Sequence, residues 1–399
     1  MVPMTTEQLF RARVALFQAY LRDSGHDGIL LQRVDNFAAA TGGLRNYINA
    51  YTDIGANALA ITKHGEAWYV GNNIELPRLR DEELGSLAAG YKDFLWFESD
   101  PAKCVQQQFS GSWCSDTGAL GPNVNGALAP MRTLLTPFEL DRYRALGRMA
   151  AESMEQVLAR IERGTSEADI AAALVAEGQR RHCHVPVFLV ASDERIAKYR
   201  HPLPVVPPLL SDGVPHKTVD RYVMVVGCFL RDGLIVSLTR MKKVAELPEE
   251  IEERYRRICA VDALVQEATR PGRTLGEVFA DLQAAYAAQG FDPNEWHHHH
   301  QGGLTGYAGR TAKGTPGSTV PCLDTAWGSK ASEIFGESVS WETAFAWNPS
   351  GPGVKSEDTF LLATDGQREI ISGTPALPVV DLSAALGRAT EAVKSSMAV

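Results

Sequence analysis

Apolar residues near the start of the chain recur at helical intervals. Phe10, Val14, Phe17 and Leu21 fall on one side of a helix predicted over residues 6 to about 21. The period then changes. Gly28-Ile29-Leu30-Leu31 reads as a short buried strand, and residues 57–62 and 66–70 read as a strand pair across the turn at Lys63-His64-Gly65. A Gly, Ser and Asn-rich stretch over 110–125 marks loops near the end of this unit. From Pro137 the pattern turns strongly helical. The boundary is therefore expected near Thr136, with an α/β domain over 1–135 and a second domain over 136–399.

The second domain carries its pattern twice. A helix over 137–161 is closed by Arg163-Gly164, and Ser166 with Asp169 resembles a capping box for the next helix. Strand-like segments follow at 185–190, 222–229 and 234–238. The same order then returns. A helix over 249–269 stops at Pro271-Gly272, Thr274 with Glu277 repeats the box, and a helix to Gln289-Gly290 precedes strands near 338–345 and 359–364. The segments RGTSEADIAAAL and PGRTLGEVFADL read as one element used twice. Their separation exceeds the roughly 20–50-residue period of solenoids. The pattern implies an α+β fold of duplicated halves around a pseudo-twofold axis and a shared cleft.

Composition narrows the function. At 399 residues with 45% apolar content, the chain is long enough for two domains and a sizeable core. A net charge of -9 argues against nucleic acid and against anionic membrane surfaces as partners. The six cysteines (Cys104, Cys114, Cys183, Cys228, Cys259, Cys322) form no C-x-x-C pair and read as reduced thiols. There is no basic n-region before an apolar run, and no apolar stretch of membrane-spanning length. A cytoplasmic protein is expected.

Candidate chemistry concentrates late in the chain. His297–His300 run into Gln301-Gly302-Gly303, Arg310 follows, and then come Trp347-Asn348-Pro349-Ser350 and Lys355-Ser356-Glu357-Asp358-Thr359. Upstream lie Tyr199-Arg200-His201-Pro202 and Arg231-Asp232-Gly233-Leu234-Ile235-Val236-Ser237-Leu238-Thr239-Arg240. Four such motifs in this order, with the duplication, resemble the pita-bread family of creatinase, aminopeptidase P, prolidase and methionine aminopeptidase. The resemblance implies an α+β pita-bread catalytic domain behind a smaller α/β N-terminal domain, a small-molecule substrate and a homodimer.

The peptidases of that family hold two divalent ions on Asp, Asp, His, Glu and Glu. Aligned on Asp232-Gly233, this chain has Val226 and Ser237 at the two aspartates, His300 at the histidine, Asn348 at the first glutamate and Glu357 at the last. One imidazole and one carboxylate make a poor dimetal site, so no metal and no cofactor is expected. The chain is similar instead to creatinase, which works without that metal and uses the histidine matching His201 for proton transfer. In that reading His201, His300 and Glu357 are catalytic. Arg310 holds the substrate carboxylate, while Asn348, Ser237, His299, Tyr307 and Thr239 line the substrate pocket. The glycines after the histidine turn are taken to let backbone approach a ligand. Thr239 stands where creatinase has a catalytic glutamate, which argues against creatine itself.

Each residue also has a plainer reading. His201 precedes a proline-rich loop, His297 and His298 suit a solvated turn, and Glu357 suits a buried pair with Arg240 or Lys355. Tyr307 and Trp347 suit core packing, and Cys228 lies in an apolar strand where thiols are usually inert. Arg45 and Tyr47 are placed by the resemblance near a partner's cleft. The activity expected is C–N bond hydrolysis, with three alternatives: a lyase or isomerase step, a metal-dependent Xaa-Pro peptidase, or a non-catalytic binding protein on the same scaffold.

Overall fold

A computed structural model describes residues 4–84, 87, 89–204, 217–307, 309, 312–336, 340–377 and 397–398. Helix α1 (Thr6–Ser24) starts at a capping box between Thr5 and Gln8 and runs on to Gly25, whose left-handed backbone ends it. Its expected stripe is buried, and Arg13 is buried with it. It lies over a five-stranded sheet of order β4-β3-β2-β1-β5, with β1 Gly28–Arg33, β2 Ile54–Thr62, β3 Ala67–Asn72, β4 Gly90–Phe94 and β5 Trp113–Ser115. The strands β2 and β3 pair antiparallel around the expected turn.

Downstream, two halves share one plan. In the first, α2 (Pro137–Ala159) and α3 (Glu167–Arg180) cover an antiparallel meander of β6 (His184–Ser192), β7 (Tyr222–Arg231) and β8 (Leu234–Lys243). In the second, α4 (Glu249–Ala268) and α5 (Leu275–Ala288) cover β9 (Gly302–Thr305), β11 (Thr343–Trp347) and β14 (Asp358–Leu362), flanked by β10 (Ala312–Lys313) and β15 (Arg368–Ile370). Ser166 caps α3 on the Asp169 amide, and the Thr274–Glu277 box caps α5. Both strands expected late in the chain are displaced. β11 begins only at Thr343, with 337–339 outside the described residues, and β14 ends at Leu362 because the Ala363 amide turns back to the Gln367 carbonyl.

Two features fix where functional side chains point. The Asp232-Gly233 turn has φ of +50° and +74°, the pair of left-handed residues that a two-residue hairpin demands. It sets Val226 opposite Thr239 and Cys228 opposite Ser237, so these four share one face. The halves then join where the Thr239 amide donates to the Glu357 carbonyl at 3.0 Å. A miniature hairpin of β12 (Ser350–Gly351) and β13 (Val354–Lys355) delivers the chain to that junction. Phe345 and Phe360 stack beneath it at 5.5 Å between ring centres, fully buried. Truncating either to Ala would cost about 3–5 kcal/mol.

Candidate active site

The histidines meet across 98 positions of sequence. The cause is a half-buried clamp: Arg200 ion-pairs with Glu295 and also donates to the Gly351 carbonyl. This ties the segment carrying His201 to the 3₁₀ turn that opens the histidine run. Past that turn His299 is extended and buried, and Gln301 fastens it by donating to its carbonyl at 2.6 Å. His299 Nε2 and His201 Nε2 lie 3.0 Å apart, with the His300 ring 5.1 Å from that of His201. His201 is exposed and His300 half-buried. His297 turns aside, its ring set edge-on to Trp296.

The floor of the cleft is a sealed polar network. Thr239 Oγ1 donates to Glu357 Oε2 at 2.7 Å, and the Lys355 ammonium lies 3.5 Å from the same oxygen. Asn348 reaches Glu357 Oε1 at 3.5 Å, while its own amide donates to the Gln301 carbonyl at 3.1 Å, linking floor to histidine turn. Asn348 Oδ1 is buried with no hydrogen-bond partner among the described residues. Ser237 Oγ lies 3.2 Å from Cys228 Sγ, and its amide donates to Thr359 Oγ1.

This floor does not fit the paired divalent ions of the pita-bread peptidases. Val226 and Ser237 bring no charge where carboxylates would bridge, and Glu357 already faces an ammonium and a hydroxyl. A Lys355 cation in that place offsets the buried carboxylate that a metal would otherwise neutralise. Tight binding of two hard ions needs several anionic oxygens. Of the five aligned ligand positions, Glu357 alone carries a carboxylate.

The structure redistributes other expected residues. Glu357 receives Lys355, as one plain reading held. Arg240, however, pairs through its side chain with Asp358 at 2.7 Å and touches only the backbone carbonyl of Glu357. Tyr307 spends its hydroxyl on Glu139 at 2.5 Å, with Arg13 over its ring, and burial pushes its pKa well above the usual phenol value. Its ring nonetheless walls a cavity of about 460 Å³ beside the strand face that bears Ser237, shared with Arg33, Arg45, Arg132, Ile235 and Gly309. That volume suits a small organic ligand. Arg310 lies outside the described residues. Arg45 pairs with Glu83 of its own chain.

The glycines of the histidine turn serve the sheet. A Cβ on Gly302 would stand 2.0 Å from the Ala346 carbonyl oxygen, and one on Gly303 2.2 Å from that of Ala312. They let β9 fit between its neighbours, which corrects the expectation of close approach to a ligand. Two residues escaped sequence reasoning. Lys355 was seen only as a pairing option. Asp262 of α4 accepts from Ser356 at 2.6 Å and Gln266 at 3.0 Å, and burial pushes its pKa up to about 7. Its one signal was an acid on the apolar side of a helix.

Comparison with known proteins agrees with this architecture. No curated protein matches the sequence. In structure the chain is similar to a prolidase from Pyrococcus horikoshii OT3 at 15% identity and a TM-score of 0.70, covering 91% of this chain and 98% of that one. It is also similar to dipeptidase PepE from Mycobacterium ulcerans, at 18% identity and 0.68 over 94% and 98% of the two chains. A Xaa-Pro dipeptidase from Bacillus anthracis follows at 16% and 0.62, over 91% and 97%. Identities this low speak for the shared fold alone. The sequence signature of metallopeptidase family M24 matches residues 141–363, more than half of the 399-residue chain. The protein belongs to metallopeptidase family M24, a family of hydrolases with the pita-bread fold.

Proposed function

We propose that the protein hydrolyses a C–N bond in a small, carboxylate-bearing, amino-acid-like substrate by histidine acid–base catalysis, without the metal pair of the Xaa-Pro peptidases. One observation carries this reading: Glu357 is met by Lys355 and Thr239 where metal ligation would require further carboxylates. The imidazole pair supplies the alternative chemistry. With Nε2 atoms 3.0 Å apart, His201 and His299 are within reach of sharing a proton, the geometry that acid–base catalysis by an imidazole pair requires.

In the reaction, water gives a proton to His201 as its oxygen attacks the electrophilic carbon. The C–N bond then breaks as that proton passes to the leaving nitrogen, so protons balance over the cycle. His300 borders the reacting group. Glu357, Asn348, Ser237 and Thr239 form the buried polar floor, tied to the histidine turn through the Asn348 amide. The substrate carboxylate falls to Arg310, the residue that the resemblance assigns to it. We take the active protein to be a homodimer, as the resemblance implies.

The test is a screen of N-acyl, N-carbamoyl and amidino carboxylates for amine or ammonia release in the presence of a chelator. Turnover should persist there and fall at least about 100-fold in His201→Ala. Activity confined to Xaa-Pro dipeptides and restored only by Mn²⁺ would overturn the proposal.

A further inference from the structure

We propose that His201, His299 and His300 form a binding site for a single borderline divalent transition ion, Zn²⁺ foremost, at the rim of the cleft. One candidate ligand nitrogen from each of the three rings lies within 4.8 Å of the other two. Zinc binds imidazole at about 2.0–2.1 Å, which spaces tetrahedral ligands roughly 3.3 Å apart. The His201–His299 pair, at 3.0 Å, already stands near that spacing. Bringing in the half-buried His300 takes a shift on the order of an ångström.

The mounting is rigid where it matters. Arg200 and Glu295 clamp the two segments together, and Gln301 ties His299 while itself accepting from Tyr286 at 2.9 Å. Three neutral imidazoles with no carboxylate among them select Zn²⁺, Cu²⁺ or Ni²⁺ over Mg²⁺ and Mn²⁺. This is a different site from the bridged ion pair of the peptidases, with which it shares only the His300 position. An ion here takes up the lone pair that His201 uses as a base. Its effect on turnover, though not its binding, therefore rests on the metal-free reading above, and that effect is inhibition.

A rival account is that the run His297–His300 chelates metal on its own, as any exposed polyhistidine would. Calorimetric titration of the chelator-stripped full chain with Zn²⁺, and with Mg²⁺ and Mn²⁺ as controls, separates the two. We expect one Zn²⁺ per chain and no saturable Mg²⁺ or Mn²⁺. That stoichiometry should vanish in His201→Ala and in the bulkier His201→Gln, each confirmed folded by circular dichroism, and should persist in the double variant H297A/H298A. Absence of saturable Zn²⁺ binding, its survival in both His201 variants, or its loss in H297A/H298A would overturn the site. Turnover measured alongside keeps the two proposals apart. Inhibition by one equivalent of Zn²⁺ supports both. A requirement for Zn²⁺ overturns the metal-free mechanism and leaves the site standing.

Discussion

The floor and the rim of the cleft are linked where the Asn348 amide donates to the Gln301 carbonyl, yet they are built on opposite principles. At the floor, Glu357, Lys355, Thr239 and Asn348 are at most 3% exposed, and Glu357 is met by the other three. At the rim, His201 is exposed and the three imidazoles face each other across a junction of two segments. Charge that is buried and internally matched stabilises the fold only while every partner is present. Imidazoles at an open edge contribute little to stability and remain available to a proton, an ion or a substrate.

This contrast breaks most easily at the floor. Lys355→Met should remove the ammonium beside the buried Glu357 carboxylate and cost about 3–5 kcal/mol in denaturant unfolding, with much of it regained in the double variant K355M/E357Q. Equal stability in wild type and Lys355→Met would show that the ammonium does not offset the carboxylate.

A second effect, spread over pH, lies behind the floor at Asp262. Its folded pKa, about 7, lies above the ordinary carboxylate value of 3.8. The folded state therefore binds this proton more tightly than the unfolded chain does. The stability it contributes is full below the unfolded pKa and is lost as pH rises toward 7, with a slope limited to about 1.4 kcal/mol per pH unit. Asp262→Asn should flatten the decline in stability between about pH 4 and pH 7. An unchanged pH profile would remove Asp262 from the account. The smallest effect belongs to the rim. His201→Ala should change unfolding stability by no more than about 0.5 kcal/mol, as for other exposed positions. A loss of several kcal/mol would make His201 a structural residue.

The sequence made the duplication legible because capping residues and helix stops are local. Ser166, Thr274 and Glu277 announce their helices without help from distant contacts, and Asp232-Gly233 announces its hairpin. The motifs of the cleft were legible through family resemblance. Pairings set by tertiary packing were not. Nothing near Arg240 in sequence distinguishes Asp358 from Glu357 as its partner, since the choice depends on which face of β14 turns inward. The convergence of His201 with His299 depends on Arg200 and Glu295, whose pairing no local spacing encodes. The role of Gly302 and Gly303 was misread for a related reason. A glycine pair looks alike whether the neighbour it admits is a ligand or another strand.

The central claim is that the ligand set for two hard metal ions has been replaced by an internally neutralised floor. Equilibrium binding of Mn²⁺ to the chelator-stripped protein tests it most directly, because it needs no knowledge of the substrate. The account predicts no saturable Mn²⁺ binding. Two Mn²⁺ ions per chain, lost together in Glu357→Gln, would contradict it.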